Sequence, residues 1–133
     1  MRRFLSHRQA SELTEAALTL PIVLLLLLGM VQFGIVVYGD QMAKEAARHG
    51  ARMGSVAQDN PAMQAYVAAF VFAKSALPIG EPEVQILAPG GVVGTELRIR
   101  VSYRIPNLVS GFPGLPSGPF VVFGEATARQ EGW

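Results

Sequence analysis

Residues 16–39 read AALTLPIVLLLLLGMVQFGIVVYG, twenty-four consecutive positions without a charged side chain. Within them Ile22 to Leu28 is purely aliphatic. At about 1.5 Å per residue, a helix of this length reaches roughly 36 Å, enough to cross a hydrocarbon core of about 30 Å with some tilt. A soluble protein can bury so apolar a helix, but this chain has 133 residues and too few remain to surround one. The stretch therefore reads as a single transmembrane span holding one small domain.

The flanks orient it. Arg2, Arg3, His7 and Arg8 precede the span, whereas Asp40, Lys44 and Glu45 follow it. The positive-inside rule then predicts a cytoplasmic N-terminus and a C-terminal domain outside the cytoplasmic membrane. A cleaved secretory signal fits poorly, because the apolar run is long and no small-x-small site follows it. The chain has no cysteine, which excludes a disulfide framework and thiolate metal sites. Its net charge of +1 favours no class of partner.

Beyond the span, helical spacing continues. Residues 12–57 read as one long helix, in which Tyr38, Met42, Ala46, His49, Met53 and Val56 recur at three- and four-residue steps. This predicts an apolar stripe that needs a partner, with Lys44, Arg48 and Arg52 on the opposite face. A lone histidine on such a stripe reads as a packing residue rather than a metal ligand. Asp59 or Asn60 is placed to cap a second helix from Pro61 to Leu77, ending before Pro78 and Gly80. Its run from Tyr66 to Phe72 is too short to span and is expected under a sheet.

The remainder reads as strands. Val84, Ile86 and Ala88 alternate with other residues, and Pro89-Gly90-Gly91 marks a turn. Leu97, Ile99, Val101 and Tyr103 alternate with Arg98, Arg100, Ser102 and Arg104, the clearest period-two pattern in the chain. A Pro/Gly-rich loop spans residues 106–119, with Phe112 and Phe120 as core or contact residues, and Phe120 to Arg129 forms a last strand. The expected fold class is α+β: a long N-terminal transmembrane helix continuing outside the membrane, and a second helix packed on an antiparallel sheet of about three strands. The expected division is a basic leader at 1–10, a transmembrane and juxtamembrane helix at 11–57, and a small extracytoplasmic domain at 58–133.

Two motifs narrow this reading. The first is RQASELTEAALTLPIVLLLLLG, a basic leader, a glutamate at the start of an apolar helix, and a proline six residues after it. The second is FGIVVYGDQMAKEAARHGAR, from Phe33 to Arg52. Together they resemble the TadE-like pseudopilins, pilin-like subunits of the Tad (Flp-type) pilus within the type IV pilus and type II secretion superfamily. The family pattern falls on Glu15, Pro21, Phe33, Gly34, Tyr38, Ala46, Ala47, Arg48, Gly50, Ala51 and Arg52. The resemblance implies a pilin-like fold and a membrane-held structural or assembly subunit that stays in the bilayer or enters an extracellular pilus. It implies other pilin or pseudopilin subunits, the pilus assembly platform and a prepilin peptidase as partners.

By the family's usual spacing the peptidase cuts between Ala10 and Ser11. Alanine precedes the cut where the family typically has glycine, and Ala16 follows the glutamate where an aromatic residue is common. Cleavage removes Arg2, Arg3 and Arg8 and turns the mature chain slightly acidic.

A carboxylate at mid-bilayer costs about 2.5–3.5 kcal/mol on insertion scales, so such groups usually have a partner. The resemblance assigns Glu15 the freed N-terminal amine of a neighbouring subunit, which would be Ser11. On position alone Glu15 would instead snorkel to the inner headgroups. Pro21 either kinks the helix, easing packing or local melting in a filament, or is simply tolerated in a transmembrane helix. Arg48 and Arg52 are candidates to meet acids on adjacent subunits or anionic phosphates, against a plain solvated face. Arg98, Arg100 and Arg104 are candidates for a basic patch facing polysaccharide, DNA or an acidic protein, as in a membrane-anchored binding module. No catalytic constellation, phosphate loop or metal-ligand cluster is present in the sequence. His7 and His49 are the sole histidines, and neither belongs to a Ser-His-Asp set. The chain is thus expected to be no enzyme, with no cofactor and no small-molecule substrate.

Overall fold

The computed structural model describes the backbone of residues 2–131 and the side chains of residues 12–131. Helix α1 (Arg2–Ser55) is followed by α2 (Pro61–Ala76) and strands β1 (Glu81–Pro89), β2 (Glu96–Ile105) and β3 (Phe120–Arg129). The strands form one antiparallel sheet in the order β1-β2-β3. The upper half of α1 and the whole of α2 lie on one face of this sheet, α1 over β3 and β2, and α2 over β1. This is the expected α+β arrangement, with the long helix protruding.

Helix α1 begins ten residues earlier than the expected start at residue 12, because nothing between residues 2 and 20 breaks a helix. It runs through Pro21 without interruption. The leader side chains and the cut between Ala10 and Ser11 lie outside the residues whose side chains are described. Asn60 supplies the N-cap of α2. It adopts a left-handed conformation (φ 47°), its Oδ1 accepts from the Met63 amide at 3.3 Å, and Pro61 opens the helix.

Strand β2 is central, and its alternation is fully realised. Leu97, Ile99, Val101, Tyr103 and Ile105 are buried, while Arg98, Arg100, Ser102 and Arg104 face away from the helices. Burying a large aliphatic side chain stabilises by about 1.5–3 kcal/mol, so this strand supplies much of the core. Strand β1 packs Val84 and Ile86 against the core and carries one extra residue, Leu87, at a bulge, beyond which Ala88 pairs with the outward-facing Arg98.

Tyr103 joins two layers. Its hydroxyl donates to the Ala73 carbonyl in α2 at 2.6 Å. Burial, reinforced by the neighbouring Tyr38 phenol, pushes the Tyr103 phenol up from 10.0 to about 12. The folded protein therefore keeps a proton that the unfolded chain releases near pH 10. The stability carried by Tyr103 is complete below that pH and disappears as pH rises towards 12. Tyr103→Phe is expected to remove this share of the alkaline loss in urea titrations run between neutral and high pH. At neutral pH it costs about 1 kcal/mol, since the Ala73 carbonyl still accepts from the Leu77 amide.

Candidate assembly and membrane interface

The lower part of α1 stands free of the domain. Residues 12–24 are all exposed, and only 6% of the most apolar window of the helix is buried. Such exposure leaves a large apolar surface without cover from the rest of the described chain, as an interface with a membrane or with other subunits would require. Length and composition suffice to cross a bilayer. Glu15 is exposed and has no ion-pair partner among the described residues. One turn above it, the Thr19 hydroxyl donates to the Glu15 carbonyl at 2.9 Å, a back-bond that ties this polar side chain to the helix within the apolar run.

From Gln32 upward, α1 becomes part of the domain. Its buried face keeps only part of the expected stripe, with Ala46 buried and Met42 half-buried against the core. Tyr38, Met53 and Val56 are substantially exposed, and His49 is exposed with its ring against Phe72 at 5.3 Å between centroids. The face turned inward is instead a seam of small residues: Gly39, Ala43, Ala46, Ala47, Gly50, Ala51 and Gly54. Close approach selects them. A Cβ on Gly50 would lie 2.7 Å from both the Ala65 carbonyl oxygen and the Ala69 Cβ. One on Gly54 would lie 2.7 Å from the Ala65 Cβ and 2.8 Å from the Pro61 carbonyl oxygen. One on Gly39 would lie 2.6 Å from Ile105 Cδ1. In β3, a Cβ on Gly124 would fall on the backbone of Ala43 and Lys44. Large residues at helical spacing therefore mark the outer face of this helix, and small ones mark the inner face. The signal was present in the sequence as glycines and alanines at three- and four-residue steps.

The second motif thus divides by role. Ala46, Ala47, Gly50 and Ala51 dock α1 onto α2 and the sheet. Phe33, Gly34, Arg48 and Arg52 point away from the domain and are free to meet other molecules. Tyr38 is partly exposed, and its hydroxyl lies 3.4 Å from the Ala76 carbonyl at the end of α2. Lys44, by contrast, pairs with Asp40 one turn below at 2.6 Å.

The outer sheet face carries the three strand arginines, each with an acidic neighbour. Arg98 bonds Glu96 at 2.7 Å, and Glu96 holds the guanidinium more firmly protonated. Arg100 donates its Nε to Glu125 across the β2–β3 pair at 2.6 Å and lies over the Phe123 ring. Arg104 is 3.9 Å from Glu81. Exposed pairs of this kind contribute little to stability, but they neutralise the face. The candidate basic patch is thus a mixed-charge surface: Glu96 lies two residues before Arg98 on the same strand, and the register sets Glu125 beside Arg100 and Glu81 beside Arg104.

A further site lies where span and domain meet. Gln32, a polar residue within the apolar run, is 4% exposed. Its Nε2 donates to the Pro106 carbonyl at 3.3 Å, and its Oε1 accepts from the Leu108 amide at 2.8 Å. This reciprocal pair pins the β2–β3 loop to α1.

Comparison with known families places a match on this helix. Residues 11–52 match the family model for TadE-like proteins, which covers the exposed lower half of α1 and nearly all of the small-residue seam. No curated protein and no solved structure matches the chain.

Proposed function

With residues 11–52 forming a TadE-like segment, associated by family with the Tad pilus, we propose that this chain is a pseudopilin, a structural and non-catalytic subunit of a Tad-type pilus. It is held in the bacterial cytoplasmic membrane by α1, with its N-terminus in the cytoplasm and its α+β domain outside. A prepilin peptidase cuts between Ala10 and Ser11, and the assembly platform then brings the subunit against other pilin-like chains.

The observation that carries this reading is the coincidence of the family match with a helix whose residues 12–24 have no cover from the described domain. A filament of pilin-like subunits supplies such cover from neighbouring helices, and the bilayer supplies it beforehand. Glu15 fits the same reading. It lies at the start of the apolar run with no ion-pair partner among the described residues, where the freed amine of a neighbour's Ser11 would complete a charge pair. Such a pair specifies register more than it stabilises.

The alternative of an anchored module that binds polysaccharide or DNA rests on the strand arginines. The acids beside Arg98, Arg100 and Arg104 weaken it. Intact mass of the protein purified from its native membrane tests the pilin reading. The expected species starts at Ser11. A chain retaining Met1 rejects processing, and one starting beyond Asp40 identifies a secreted protein instead.

A further inference from the structure

The β2–β3 loop sits at an unexpected depth. It is fastened to α1 at Gln32, only sixteen residues above Ala16, where the uncharged run begins. Sixteen residues of helix rise about 24 Å, roughly 6 Å short of a hydrocarbon core of about 30 Å. With Glu15 at the inner boundary, the outer boundary of the core therefore lies above Gln32, and helix tilt raises it further. The opposite side of α1 agrees. Phe33 is 71% exposed and Val37 is also exposed, and the first charge on the helix is Asp40, two turns above Gln32. If the bilayer ended below Gln32, both apolar side chains would stand in water.

The loop suits that depth. The chain from Ile105 to Gly124 contains no charged residue. Leu108, Phe112 and Leu115 are exposed, and so is Ile79 from the connection after α2. Pro106, Pro113, Pro116 and Pro119 have no N–H to satisfy at low dielectric. Two further backbone amides are paired within the loop: Phe112 donates to the Val109 carbonyl and Leu115 to the Phe112 carbonyl. The Asn107 side chain bonds the Pro116 and Gly118 carbonyls and the Val109 amide. Irregular backbone otherwise pays heavily for leaving water. The nearest charges, Glu81 and Arg104, line the same depression as Ile79, Pro106 and Pro119, at the rim where headgroups would begin.

We infer that the uncharged β2–β3 loop is a membrane foot: Leu108, Phe112 and Leu115 enter the outer leaflet beside the span while Gln32 clamps the loop to α1. The ligand is the lipid bilayer surface, and the inference rests on α1 spanning that bilayer. A foot of this kind holds the domain at a set height and angle on the membrane. Leaving the bilayer for a filament then requires the foot, and not the span alone, to give up its lipid contacts. Apolar groups placed about 5–10 Å into the boundary between headgroups and acyl chains bind in the same way.

The absence of cysteine makes a direct test available. Single-cysteine forms of the full chain, Phe112→Cys, Leu115→Cys, Leu24→Cys and Val92→Cys, are labelled with an environment-sensitive fluorophore. Each is placed at one copy per nanodisc of phosphatidylcholine and phosphatidylglycerol. Lipids spin-labelled near the headgroup or near the chain end serve as quenchers. The expected result is a loss of about half the emission or more at Phe112 and Leu115 with the shallow quencher, as for interfacial side chains. Leu24 responds to the deep quencher, and Val92, at the far end of the domain, to neither. If both loop labels behave like Val92 while Leu24 is quenched, the span stands and the foot is wrong. If Leu24 also escapes quenching, the spanning helix is wrong and the foot falls with it. If the loop labels become shielded only when several copies share a disc, the occupant is a second copy of the chain and the lipid assignment is overturned.

Discussion

Gly124→Val is expected to separate the long helix from the sheet, destabilising the domain by about 3 kcal/mol or more. The new Cβ would coincide with backbone atoms of Ala43 and Lys44, and backbone cannot move aside as a flexible side-chain tip can. Lifting α1 to make room would also open its contacts at Gly39, Gly50 and Gly54, each already closer than a side chain permits. The same lift would uncover Leu97, Ile99 and Val101 on the central strand. Urea titration of the full chain in detergent micelles, read by protease resistance of the domain, measures the effect. Gly29→Ala is the matched control. Nothing lies within 4 Å of its Cβ, so the domain's midpoint should not change. An unchanged midpoint for Gly124→Val would mean that α1 does not lie against β3 as described.

Glu15→Ala is expected to block assembly while leaving the subunit intact. Within one chain Glu15 touches no cation among the described residues, so its removal takes no stabilising contact from the domain. Membrane insertion should improve slightly, since a carboxylate in the apolar span costs up to about 2.5–3.5 kcal/mol. In a filament the loss is specific, because the freed amine of the adjoining subunit would be left buried without a partner. Removing one member of a buried ion pair costs about 3–5 kcal/mol, so incorporation should fall by at least about tenfold. Comparing sheared filament with the membrane fraction, at equal subunit levels, gives the readout. Glu15→Asp keeps the charge and should retain part of the activity. Normal incorporation of the alanine form would remove the assembly role.

These two substitutions also mark how far sequence reading reaches. The apolar helix above Glu15 is legible because a run of uncharged residues long enough to cross a membrane is a one-dimensional pattern along the chain. The β2 alternation was legible for a similar reason, since Leu97 to Ile105 meets water on one face and helices on the other. A cap at Asp59 or Asn60 was legible because the need for a side-chain acceptor is local, and the fold selects Asn60. Gly124 was not. Nothing around it in β3 says that a helix backbone, some eighty residues earlier in the chain, passes over that position.

The inner face of α1 was misread from the same cause. The expected stripe of Tyr38, Met42, Ala46, His49, Met53 and Val56 follows large residues because these usually fill cores, and only Ala46 and Met42 of it pack inward. Here two helices and a sheet meet so closely that only glycine and alanine fit between them. Tyr38, His49, Met53 and Val56 were left on the outside, where a neighbouring subunit can reach them. The strand arginines depended on register. Only cross-strand pairing shows that Arg100 faces Glu125 and that the face is electrically mixed.

The sequence by itself determined the long apolar helix, the number of strands and the family likeness, because each follows from local pattern along the chain. Tertiary structure alone decided which face of α1 is buried, that the arginines are neutralised, and that an uncharged loop is clamped beside the span at Gln32. Those features depend on distances between segments far apart in sequence, and no periodicity within one segment encodes them.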